Sequence, residues 1–211
     1  MSVKKNLQSN ARKPKGFWGK MMINKMNISH YEMTGWALDN IKINEDSHVL
    51  DIGCGGGRTI KRMADNITSG HVSGIDYSDL AVKQSKRKNH RKIKKGIVDI
   101  ANASVSNIPA SDNSYDIVTS FESFYFFPNV DSDIKEIWRV LRPGGKLLIC
   151  LEIYKDGIHD ERNEAFVKQL KLNYYSAQQL KELLCKSGFD NIKIFEEKSN
   201  GWVCIIGDKM I

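Results

Sequence analysis

The sequence predicts an α/β protein built on a doubly wound, mostly parallel seven-stranded sheet that closes on an antiparallel hairpin. Three observations carry this expectation. Short apolar runs alternate with helical patterns over most of the chain, the arrangement that buries a parallel sheet on both faces. Ser47-His48-Val49-Leu50-Asp51-Ile52-Gly53-Cys54-Gly55-Gly56-Gly57-Arg58 reads as a buried strand turning through glycines into a helix. Near the C-terminus, Ser199-Asn200-Gly201 is a turn signal between two strand-like segments.

Taken in order, residues 1–45 form an N-terminal helical cap and 46–211 the main domain. Strands are expected near 48–52, 71–75, 96–101, 115–120, 145–152, 191–196 and 202–207, with helices near 57–66, 79–89, 131–141 and 176–187. Ser78 is a helix N-cap candidate, since its hydroxyl can accept from an orphan backbone N–H.

The glycine-rich turn after the first strand puts backbone N–H groups at a helix N-terminus, where a nucleotide-like ligand approaches closely because no Cβ obstructs it. The second strand ends at Asp76, 23 residues after Gly53, and a carboxylate there accepts hydrogen bonds from ribose hydroxyls in doubly wound folds. An adenosine-bearing ligand follows. A dinucleotide loop wants a third glycine where Arg58 stands. Asp51 repels a pyrophosphate and suits a ligand with a cationic amino group.

These residues resemble the class I S-adenosylmethionine-dependent methyltransferases, over roughly Val49 to Asp208. Asp51-Ile52-Gly53-Cys54-Gly55-Gly56-Gly57 is similar to the family's first motif, and Asp76 to its ribose-binding acid. Ser114-Tyr115-Asp116-Ile117-Val118 resembles its fourth strand. Arg139-Val140-Leu141-Arg142-Pro143-Gly144-Gly145-Lys146-Leu147-Leu148-Ile149 resembles the helix, turn and fifth strand that follow. Tyr175-Ser176, Leu180, Leu183, Leu184 and Ser187-Gly188-Phe189 resemble the lead into the final hairpin.

The resemblance implies a Rossmann-like fold and an S-adenosylmethionine cofactor, converted to S-adenosylhomocysteine. It assigns the cofactor site to Asp51, Gly53, Cys54, Gly55, Asp76, Tyr77, Ser104, Val105 and Phe121. Ser104 stands where the family often has an acid, and its hydroxyl accepts from an adenine amino group more weakly. Tyr77 is placed against adenine.

On the acceptor side, five of the seven residues from Phe121 to Phe127 are aromatic, enough for an apolar or cation-binding pocket. Phe124 and Tyr125, with Trp18 and Met22 of the N-terminal segment, are the substrate-binding candidates. At least half of the loop's rings are expected in the core. His30, Tyr31 and Glu122 are the catalytic candidates, with Glu152, Tyr154, His159, Tyr174 and Tyr175 as weaker acceptor-side ones. Methyl transfer from a sulfonium is an in-line displacement, so positioning and exclusion of water dominate. A base helps only an acceptor that must lose a proton.

The 211 residues are 41% hydrophobic and 27% charged, ordinary for one soluble domain. No apolar run approaches a span of about 20 residues and no signal-peptide core is present, so a cytoplasmic enzyme without a membrane partner is expected. The spacing of Cys54, Cys150, Cys185 and Cys204 suits buried free thiols rather than disulfides or zinc, and no metal is expected. The net charge of +7 and the basic run Lys86–Lys95 permit nucleic acid, but cations at a helix end also remain simply solvated. A small-molecule acceptor is favoured over RNA or protein, in a monomer or homodimer. A non-catalytic adenosine-cofactor module and a nicotinamide oxidoreductase are the readings from other classes.

Overall fold

The computed structural model describes residues 12–210, so the first eleven residues of the expected cap lie outside it. Seven strands make one mixed sheet, β3-β2-β1 in a unit that ends at Ser104 and β4-β5-β7-β6 in a unit that begins at Val105. The fold class is the expected one.

In the first unit the N-terminal segment forms two helices, α1 (Gly16–Ser29) and α2 (Tyr31–Leu38). The strands β1 (His48–Ile52), β2 (His71–Asp76) and β3 (Val98–Asn102) are parallel, with Asp51 opposite Gly74 and Asp76 opposite Asn102. Crossovers run through α3 (Arg58–Ala64) and α4 (Asp79–Lys94). Val49, Leu50, Ile60, Met63 and Val72 are buried between them. Gly74 makes room for this packing, because a Cβ there would lie 2.8 Å from the Ile60 Cδ1. Ser78 caps α4 as expected, its hydroxyl accepting from the Ala81 N–H.

In the second unit β4 (Tyr115–Phe121) and β5 (Leu141–Leu151) are parallel, and β7 (Trp202–Lys209) runs antiparallel to both β5 and β6 (Phe189–Glu197). A 3-10 turn, Phe124–Phe126, follows β4. Three helices complete the unit: α5 (Val130–Val140), α6 (Asp160–Leu170) and α7 (Ala177–Lys186). Ser176 and Gln179 close a capping box at the start of α7. Lys209, 4% exposed, donates to the Asn113 side chain and to the Trp138 and Leu141 carbonyls, which satisfies its buried ammonium.

Three expectations need correction. β5 begins at Leu141 rather than 145, because the Arg142-Pro143-Gly144-Gly145 turn is absorbed as a register irregularity against β4. The helix α6 is an addition to the expected set, and it buries only Asn163, so it carries no apolar stripe to announce it. Cys185 is exposed, while Cys54, Cys150 and Cys204 are buried free thiols.

Candidate functional site

Gly53, Gly55 and Gly57 all adopt left-handed φ, at 73°, 52° and 73°. This alternation folds the loop tightly between β1 and α3, a path costly to residues with a Cβ. The Gly53 and Cys54 N–H groups both donate to the Ile75 carbonyl, at 2.8 and 3.0 Å, pinning the loop to β2. Above Gly55 the space is open: a Cβ at this position would have the Gly53 carbonyl oxygen as its nearest neighbour, 3.9 Å away.

Asp76 ends β2 facing this loop. Its Oδ2 accepts from the Gly55 N–H at 3.0 Å and its Oδ1 from the Ser78 N–H at 2.8 Å. Burial pushes the carboxyl upward in pKa, and the two amide donors pull it back. A carboxylate with one lone pair per oxygen so occupied retains acceptor capacity for vicinal hydroxyls. Asp51, 2% exposed, is the penultimate residue of β1, just before the same loop.

The Cys54 thiol turns toward α4 and β2. It lies 3.9 Å from the Ser85 Oγ and against Gly74, and burial pushes its pKa well up, with Asp76 and Asp51 adding to the shift. The thiol is a packing group, and only the Cys54 main chain faces the loop side. Tyr77 donates its hydroxyl to the Arg12 carbonyl, and the Lys13 ammonium sits 5.2 Å from its ring centroid. The Ser78 hydroxyl donates to the Pro14 carbonyl at 3.0 Å. Residues 12–14 thus run across the end of β2. Ser104 is exposed, two residues beyond β3.

The N-terminal helices are clamped to the glycine loop by groups that sequence reasoning passes over. Arg58 donates to the Asn27 carbonyl at 2.9 Å, and Arg62 to the Tyr31 carbonyl and the Thr34 hydroxyl at 2.8 and 2.9 Å. Both guanidiniums stack on the Tyr31 ring, at 3.9 and 3.8 Å. The Arg62 contact holds the Tyr31 phenol below its ordinary pKa. Gly56 permits this approach, since a Cβ there would fall 2.1 Å from the Asn27 Nδ2. His30 is half-buried at the turn from α1 to α2. Trp18 and Met22 are half-buried on α1, Trp18 edge-on to Phe17. The spacing Arg58-x-x-x-Arg62 puts both guanidiniums on one helix face, but it does not point to their partner.

In the second unit Phe121 ends β4 and is 8% exposed. Glu122 follows with φ 54°, a left-handed conformation unusual for a residue with a side chain. Its Oε2 accepts from the Tyr125 hydroxyl at 2.7 Å and its Oε1 from the Glu152 N–H at 2.6 Å, so the carboxylate is held at both ends. A Glu152 carboxylate oxygen lies within 4.8 Å of it. Tyr125, buried beside that charge, stays protonated well above the ordinary range. Phe124 is fully buried against Phe127 and Tyr175. Val105 is buried. Of the weaker candidates, His159 is paired with Asp156, Tyr154 with Glu196 and Tyr174 with Asp160.

The first unit's donor set fits S-adenosylmethionine. The fixed Asp76 carboxylate keeps acceptor positions of the kind vicinal hydroxyls need, Gly55 leaves open space over the backbone, and the buried Asp51 carries the charge opposite to an ammonium. A family model described as a methyltransferase domain matches residues 50–149. The uncharacterized methyltransferase YdaC of Bacillus subtilis (strain 168) is 24% identical over 169 residues, 80% of this chain and 86% of its own length. A chain from the complex of the Haloferax volcanii Trm112 methyltransferase activator with a protein described as a methyltransferase superposes with TM-score 0.82 at 17% identity, covering 97% of this chain and 98% of that one. Phosphoethanolamine N-methyltransferase 2 of Haemonchus contortus, in complex with S-adenosyl-L-methionine, superposes with TM-score 0.74 at 19% identity, over 86% of this chain and 53% of that one. At such identities the superpositions speak for the fold, while the family model and the motif residues it spans speak for descent. The chain belongs to the class I S-adenosylmethionine-dependent methyltransferases.

Proposed function

We propose that this protein transfers a methyl group from S-adenosylmethionine to a small-molecule acceptor in the cytoplasm. The observation that carries the reading is the Asp76 carboxylate, fixed by the Gly55 and Ser78 amides at the end of β2, beside the open face of Gly55. When bound, the cofactor would supply an electrophilic sulfonium methyl, with the neutral thioether of S-adenosylhomocysteine as the leaving group. Asp76 takes the ribose hydroxyls, Asp51 the amino group, and Gly53 and Gly55 admit the ligand to the backbone. Tyr77 and Ser104 of the first unit border the adenosine.

On the acceptor side Glu122 is the residue to receive a proton from an oxygen or nitrogen nucleophile, at a carboxylate whose position Tyr125 fixes. Tyr125 acts through Glu122 as a positioning residue. His30 and Tyr31, with Trp18 and Met22, belong to the cap that excludes water from the reaction. The small-molecule substrate of the phosphoethanolamine methyltransferase supports the acceptor class.

Thermal unfolding with S-adenosylhomocysteine, S-adenosylmethionine and NADH in parallel tests the reading. A native-state ligand at a hundredfold excess over Kd stabilises by about 2.7 kcal/mol, and at roughly 2–4 °C per kcal/mol this raises Tm by about 5–11 °C. The two sulfur nucleosides should shift Tm, NADH should not, and Asp76→Ala should abolish the shift. A response to NADH alone, or to none of the three, rejects the cofactor assignment.

A further inference from the structure

The helix α1 exposes large apolar side chains that its packing does not require. Phe17 and Ile28 are each 70% exposed and Met21 is 41% exposed. At 3.6 residues per turn these three fall within an arc of about 40°, and Lys20 and Lys25 flank the stripe on either side. The opposite face, with Gly19 and Ile23, is buried, Ile23 lying against Gly56. An apolar stripe between lysines is the pattern of a helix lying in a lipid interface, where the ammonium groups reach the headgroups while their stems cover acyl chain.

Helix α1 packs beside α4, and α4 is the basic helix of the chain. From Leu80 to Val98 no residue is acidic. Lys83, Arg87 and Lys94 are exposed and fall within another arc of about 40°, with Lys86 and Arg91 to either side, also exposed.

We propose that the first unit docks on an anionic lipid surface, α1 seating Phe17, Met21 and Ile28 among the acyl chains and α4 engaging the negative headgroups. Charge complementarity selects an anionic occupant, and the apolar stripe selects lipid over nucleic acid, since a phosphate backbone offers Phe17 and Ile28 nothing apolar to enter. Among the described residues no helix is long and apolar enough to cross a membrane. The expectation of no membrane partner rests on that absence, and an interfacial helix needs no spanning run. The proposal stands independently of methyl transfer.

The full chain is to be sedimented with phosphatidylcholine vesicles, with and without about 30 mol % phosphatidylserine. Binding to the anionic vesicles alone, falling with salt, is expected. Lys83→Gln with Lys94→Gln should weaken it about 25-fold, at about fivefold per cation, and Phe17→Ser with Ile28→Ser at least about tenfold. All four positions are exposed, and an unchanged Tm for each double variant establishes that it is folded. Absence of binding, equal binding to neutral vesicles, indifference to either pair of substitutions, or displacement from vesicles by a single-stranded RNA homopolymer at equal charge each overturns the proposal.

Discussion

Gly55 and Gly57 share a left-handed backbone but have opposite surroundings, and this separates a ligand position from a packing position. A Cβ on Gly57 would fall 2.2 Å from the Ser85 Oγ and 2.8 Å from the Ser85 Cα, so Gly57→Ala adds overpacking to backbone strain. It should cost about 3 kcal/mol in urea unfolding. Gly55→Ala meets no such neighbour and should cost only about 1 kcal/mol. Its methyl group would enter the space assigned to the cofactor, so S-adenosylhomocysteine affinity should fall at least about tenfold by calorimetry. Equal stability losses with unchanged affinity would place the ligand elsewhere. The loop and Asp76 are legible in the sequence because a glycine turn and a strand-terminal acid leave marks in residue type and spacing. Side-chain direction leaves none: residue order does not tell that the Cys54 thiol faces Ser85 or that Phe124 lies in the core.

At the scale of elements, Arg139 shows how one helix residue shapes a loop. From α5 it holds Glu136 through two hydrogen bonds, reaches Asp112, and donates to the Ala110 and Ile108 carbonyls. The Ile108 N–H in turn donates to Glu136. Arg139→Ala leaves those acceptors without their donor and should cost about 2 kcal/mol at neutral pH. The Arg139 contact holds the Glu136 carboxyl below the ordinary 4.5. A depressed carboxyl stabilises the fold above its unfolded pKa and loses that contribution as pH falls through the folded value. The difference between parent and variant, followed by urea titration, should therefore be full at pH 7 and shrink below pH 4.5. A difference constant down to about pH 3 would assign the effect to packing of the arginine stem. The apolar stripe of α5 and the cap of α4 make those helices readable in advance. The helix α6 is not, since it buries little, and the extra residues of β5 read as turn because proline and glycine punctuate them.

For the whole molecule, alternation of strands and helices foretells a mostly parallel sheet, but contacts between helices distant in sequence leave no such mark. Nothing in α1 or α3 alone indicates that Arg58 reaches Asn27 or that Arg58 and Arg62 stack on Tyr31, each pair roughly thirty residues apart. The consequence is that a ligand ordering the glycine loop should also order the helices bound to it, because local opening of α1 and α2 would first have to break the arginine clamp. Hydrogen exchange mapped over the chain should show S-adenosylhomocysteine slowing amides in Gly53–Gly57 and in Ile23–Thr34 together. In the Arg58→Ala, Arg62→Ala double variant, protection of the loop should persist while that of α1 and α2 is lost. Protection confined to the loop in the parent would mean that the cap opens independently of the cofactor, and that the clamp serves stability alone.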